Sequence, residues 1–203
     1  MATGTSRRDA RRARRIMWSA AAALVVLLVP IVVAVVHRSP GTPAPTAFSW
    51  LQPADEPAGW NVAMTPSGAT LVYPPAWREI PTDSGTVSAA PPGPRGAFRG
   101  YLNATPRSGS ETLANWSHFR VAHVADEGAH DVRLAAAATG LHFRTGRGSC
   151  VIDSYSTAKL RFREIACIVA GPRTTTVVVA AAPSDHWSAQ APLLERAVAA
   201  FAT

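Results

Sequence analysis

Two cysteines, Cys150 and Cys167, are the pair whose spacing speaks most directly to chemistry. They sit in two successive β-prone stretches, Cys150–Thr157 and Leu160–Ala170, and their midpoint falls at Ala158-Lys159. A hairpin turning there sets the two residues opposite each other, close enough for a disulfide. A disulfide is expected, with two buried free thiols as the alternative. Two cysteines are too few for a zinc or iron–sulfur centre built from Cys alone. Among the six histidines there is no His-Glu-x-x-His. His118 and His123 are five apart on a predicted helix, about 140° around its axis, so they do not face one ligand. Gly146-Arg147-Gly148-Ser149-Cys150 leads into a strand, whereas a serine nucleophile elbow needs Gly-x-Ser-x-Gly between strand and helix. No phosphate-cradling glycine loop occurs. Arg161 and Arg163 alternate on one strand beside Glu164, which suits either cross-strand pairing on a solvated face or an acidic ligand. No catalytic, metal-binding or cofactor-binding residue is assigned, no cofactor is expected, and the chain is read as a non-enzyme.

Three tryptophans stand out: Trp77 just beyond a predicted strand, Trp116 within a predicted helix and Trp187 ahead of the closing one. They are either core residues or the lining of a ligand cleft between sheet and helix.

The elements that must position these residues begin with a charge asymmetry. The chain has 203 residues, with 20 Lys+Arg against 13 Asp+Glu. The first 38 residues contain Arg7, Arg8, Arg11, Arg12, Arg14, Arg15 and Arg38 but only one acid, Asp9. The remainder is close to neutral, so no basic face for nucleic acid is expected and none is assigned as a partner. Met17 to Val36 is twenty positions without a charge, long enough at about 1.5 Å per residue to cross a bilayer of roughly 30 Å. It predicts one transmembrane helix, an uncleaved signal-anchor, with a cleaved secretory signal as the rival. The arginines before it place residues 1–16 in the cytoplasm and the rest outside the cell membrane. Residues 37–59, rich in proline, predict a stiff linker. Residues 60–203 predict one extracytoplasmic domain.

Within that domain Ala69–Tyr73, Gly85–Ala90, Ala97–Ala104, Asp131–Ala138, Cys150–Thr157, Leu160–Ala170 and Thr174–Ala182 read as strands. Ser108 and Glu111 form a capping box, and Leu113, Trp116 and Phe119 recur at three-residue spacing, which predicts a helix over 109–124. Pro192 suits the first turn of a closing helix, where Leu194, Ala197, Val198 and Phe201 make one apolar stripe. Sequential strands on short turns pair antiparallel. The fold class expected is therefore α+β, an antiparallel sheet flanked by helices in an α/β/α sandwich, preceded by one transmembrane helix.

The strand ending in Tyr73-Pro74-Pro75-Ala76-Trp77 resembles the YPxGW opening of PsbP/Mog1-like domains, with Ala76 in place of glycine. Tyr155 in Ile152–Ser156, the run Val177–Pro183, Trp187 and the Ala-Val-Ala-Ala-Phe ending resemble later landmarks of that family. The resemblance covers about residues 60–203 and implies an accessory or binding subunit, of a type membrane-anchored outside the cell in actinobacteria. It lends no catalytic residues. The function expected is thus a membrane-anchored, non-catalytic accessory role, with a membrane complex as partner. A small-ligand or lipid-binding module is the alternative, and an extracytoplasmic hydrolase a third.

Overall fold

The computed structural model describes residues 47–93 and 100–203. Nine strands and two helices follow in the order β1 (Asn61–Met64), β2 (Thr70–Tyr73), β3 (Arg78–Glu79), β4 (Val87–Ala90), β5 (Tyr101–Pro106), α1 (Trp116–Asp126), β6 (His130–His142), β7 (Arg147–Ser156), β8 (Arg161–Ala170), β9 (Thr175–Pro183) and α2 (Trp187–Ala199). Strands β3 to β9 build one seven-stranded antiparallel sheet in the order β3-β4-β5-β9-β8-β7-β6, and β1 and β2 form a separate hairpin.

Strand period 2 sorts the side chains onto two faces. Cys150, Ile152, Ile165, Cys167, Val178, Ala180 and Leu102 join the hairpin's Leu71, the α2 stripe of Leu194, Ala197 and Val198, and Phe201 just beyond the helix end in the main core. Phe48 and Leu51, in the segment expected as linker, are buried in the same core. Val151, Ala166, Ile168, Val179 and Ala181 face the other way and are covered by Trp116 of α1. The α+β sandwich is as expected.

The transmembrane helix that was to precede it is corrected. Met17–Val36 lies outside the described residues, and among the described residues no helix is long and apolar enough to cross a membrane. The longest, α2, has 13 residues, about 20 Å, against the roughly 30 Å of a bilayer core. The membrane partner, the signal-anchor, the cytoplasmic and extracytoplasmic placement and the membrane-anchored function all rested on that helix, and none is carried forward.

Cys150 and Cys167 are directly opposed across β7 and β8, with Cα atoms 4.1 Å apart, and form a disulfide. Residues 157–160 connect the strands, with Thr157 and Leu160 bonded to each other around Ala158-Lys159: Thr157 N–H donates to the Leu160 carbonyl at 2.8 Å, and Thr157 Oγ1 accepts from Leu160 N–H at 3.1 Å. The bond closes a loop with a sequence separation of 17. Replacing both cysteines by alanine is expected to lower stability by about 3 kcal/mol in chemical denaturation. Thiol titration of the unfolded, unreduced chain should find no free thiol.

Both helices start elsewhere than the sequence patterns place them. Glu111 does cap the Ser108 amide, at 2.9 Å, but the chain then closes a polar turn. Asn115 Oδ1 accepts from Thr112 N–H at 2.7 Å, Thr112 Oγ1 accepts from Asn115 N–H at 3.1 Å, and Asn115 Nδ2 donates to the Ser110 carbonyl at 3.0 Å. These bonds hold Glu111–Asn115 out of the helix, which begins at Trp116. The closing helix begins at Trp187 after a turn in which His186 N–H donates to the Pro183 carbonyl, so Pro192 lies inside it. The carbonyl that proline leaves without a helical donor belongs to Ser188, an exposed residue that water can reach.

Candidate functional site

One row of paired residues crosses the α1 face of the sheet: Asp153 on β7 opposes Glu164 on β8, Glu164 opposes Ala181 on β9, and Ala181 opposes Tyr101 on β5. Two carboxylates thus stand side by side beneath a helix. Asp153 and Glu164 are both fully buried. Arg120, on the buried stripe of α1 with Trp116 and Val124, reaches down to them. Its Nε donates to Glu164 Oε1 at 2.8 Å and its Nη2 lies 2.7 Å from the same oxygen.

This arrangement leaves one cation for two acids, and the second acid responds. Burial, and then the neighbouring Glu164 charge, push the Asp153 carboxyl up to about 8, against a smaller opposing pull from Arg120. Both Asp153 oxygens and Glu164 Oε2 are buried without a hydrogen-bond partner, an environment that disfavours the ionised form of Asp153. Burial works against the Arg120 charge, but Glu164, Tyr101 and Asp153 together outweigh it and hold the guanidinium above its ordinary value. The Tyr101 and Tyr155 phenols, which hydrogen-bond each other, are raised first by burial.

Beside this cluster a groove of about 500 Å³ opens between α1 and the β4-β5-β9 part of the sheet. Its walls are of two kinds. Trp116, Phe119, Val177 and Val179 supply apolar surface, while Asn103, Thr105 and Thr86 form a hydrogen-bonded polar floor. There Asn103 Nδ2 donates to Ser88 Oγ at 2.8 Å, Thr105 Oγ1 donates to Asn103 Oδ1 at 2.8 Å, and the Thr86 and Thr105 hydroxyls are 3.1 Å apart. Arg120, His123, Glu127 and Glu111 complete the rim. His123 Nε2 lies 3.2 Å from Glu127 Oε1, and its ring stacks on Phe119. Burial tends to raise Glu111, but its own amide and those of Ser108 and Gly109 outweigh that and hold the carboxyl below its ordinary value.

Of the groove's charged side chains, Arg120 is paired with Glu164 and His123 lies against Glu127, while Asp83 and Glu111 also line it. Among the described residues no cluster of three or more His, Cys, Asp or Glu could hold a metal ion.

The three tryptophans singled out from the sequence do not line one cleft. Trp116 lies under α1, its indole N–H donating to the Ala166 carbonyl at 2.9 Å, and it forms part of the groove wall. Trp77 is buried in the core on the opposite face. Trp187 is half-buried against that same core, with the Arg163 guanidinium 5.2 Å from its ring centre. The sheet therefore separates Trp116 from the other two.

Asp153, Glu164 and Arg120 carry a sequence signal of their own. In β7 and β8 they break an apolar alternation at the positions facing α1, between Val151 and Tyr155 and between Phe162 and Ala166. The hairpin centre marked by the cysteines already makes Asp153 and Glu164 direct partners. Arg120 follows Trp116 by four residues, one helical turn along the same stripe.

No protein-family model matches the sequence, and no curated protein matches it by sequence. Solved structures do match by fold. Cyanobacterial PsbP from Synechocystis sp. PCC 6803 superposes with a TM-score of 0.53 at 12% identity, over 72% of this chain and 94% of its own. LpqN of Mycobacterium tuberculosis, a protein involved in cell envelope biogenesis, superposes with a TM-score of 0.43 at 14% identity, over 79% of this chain and 98% of its own. The PsbP match establishes a PsbP-like fold; at such identities it establishes the fold alone. It does not extend to a membrane-anchored actinobacterial variety of that fold.

Proposed function

We propose that this PsbP-like domain is a non-catalytic binding module that takes a small ligand in the groove between α1 and β4-β5-β9. The observation that carries the reading is the groove itself. Its volume, about 500 Å³, is in the range of small-molecule sites, and an apolar wall faces a polar floor whose groups are already oriented by mutual hydrogen bonds. A ligand with one flat apolar side and one hydrogen-bonding edge fits this division. The buried Arg120–Glu164 pair fixes α1 over the sheet, so the groove is formed before a ligand arrives. The engagement of Arg120 with Glu164 and of the Asn103, Thr105 and Thr86 side chains with one another supports a binding role, in keeping with an accessory domain.

Val177→Phe tests this. Val177 is a half-buried wall residue, and a phenyl ring there projects into the groove. In a ligand-observed NMR screen of small polar aromatics with the full chain, hits are expected for the wild type and a loss of at least about tenfold in affinity for Val177→Phe. Hits that bind both proteins equally, or turnover of any hit, would overturn the reading.

A further inference from the structure

On the other face of the sheet, three arginines converge, and among the described residues none of them is paired with an acid. Arg133 on β6 opposes Ser154 on β7, and Ser154 opposes Arg163 on β8. With strands about 4.8 Å apart, the Arg133 and Arg163 backbones flank Ser154 about 10 Å from each other. Arg161 lies two residues along β8 from Arg163, on the same face and about 7 Å away. Ser184 and Ser188, around the start of α2, and the ring of Trp187 close the third side of a groove of about 550 Å³.

None of the three arginines is in an ion pair among the described residues. Arg163 Nε is sealed from solvent yet has no hydrogen-bond partner. Two acids lie near enough to matter. Asp153 contributes to the lining, but both its oxygens are buried on the α1 side with Glu164 and Arg120. Asp185 Oδ2 is engaged with His186 at 3.8 Å. In a domain of near-neutral charge, three neighbouring guanidinium groups repel one another unless an anion joins them.

We propose that this groove is an anion site for a phosphate-bearing ligand, a site separate from the α1 groove. Three guanidinium forks match the three terminal oxygens and double charge of a phosphate monoester better than the two oxygens of a carboxylate. The Ser154, Ser184 and Ser188 hydroxyls add donors. The first turn of α2 carries no acid that would oppose an anion there. The volume exceeds that of phosphate alone, leaving room along Trp187 for the group that bears it.

The test titrates the full chain with inorganic phosphate and with glycerol phosphate, ionic strength held constant with sodium chloride, read by calorimetry. Saturable binding is expected, weakened at least about tenfold in the double variant Arg133→Gln/Arg161→Gln and unchanged in Arg147→Gln. Both substituted positions are exposed, so folding is retained, which circular dichroism verifies. A second arm uses phosphatidylcholine vesicles with and without phosphatidic acid. Tighter binding of the double variant's parent to the acidic vesicles than to glycerol phosphate assigns the phosphate to a lipid headgroup; the reverse assigns it to a soluble ester. No saturable response to any phosphate probe, or a double variant that binds as the wild type does, would overturn the proposal.

Discussion

Replacing Arg120 by leucine is expected to lower stability by about 3–5 kcal/mol, among the largest losses any single side chain here can cause. Arg120 is the direct counter-charge for Glu164, which has no exposed surface and stands next to Asp153. Leucine keeps the packing of the arginine stem but leaves a carboxylate buried with no cation, beside another acid. For a chain of this size that corresponds to a melting temperature lower by roughly 10 °C. The double variant Arg120→Leu/Glu164→Leu removes the stranded charge and should recover most of the loss, because an apolar pair can replace a buried ion pair at little cost. A single variant within about 1 kcal/mol of the wild type would show that the pair is not buried as described.

The second large effect is a gain. The folded-state carboxyl of Asp153 is raised from 3.8 to about 8. Between those values the unfolded chain has released its proton and the folded chain retains it, so this group lowers stability as pH rises through the window. The loss begins near pH 4 and levels off above about pH 8, and it amounts to at most on the order of 5 kcal/mol. Asp153→Asn keeps the shape of the side chain without the titration. The variant is expected to match the wild type near pH 4 and to exceed it by a few kcal/mol at pH 8, measured by urea denaturation across that range. An unchanged pH slope, or an asparagine variant less stable at pH 8, would contradict the account of this cluster.

These two residues also show how much was legible beforehand. The strands could be read because their apolar residues recur at period 2 and proline or glycine stops them; the Cys150–Cys167 midpoint even locates the β7–β8 turn. The closing stripe of Leu194, Ala197, Val198 and Phe201 is buried as its spacing implies. What escaped reading was long-range. Asp153 and Glu164 look like ordinary surface acids until strand pairing places them under α1, and Arg120 looks like a solvated helix residue until Trp116 sets the helix face. The start of α1 was misplaced because the Asn115 side chain competes with helical hydrogen bonding over Glu111–Asn115, which a capping-box pattern does not reveal. Trp77, Trp116 and Trp187 share a residue type, but β-sheet topology distributes them over two faces.

The groove between α1 and β4-β5-β9 as a ligand site is the central claim, and amide chemical-shift mapping with a hit from the small-molecule screen tests it most directly. The largest shifts are expected on Asn103, Thr105, Phe119 and Val177 and are expected to vanish in Val177→Phe. Shifts confined to the opposite face, around Trp77 or Leu194, would contradict it.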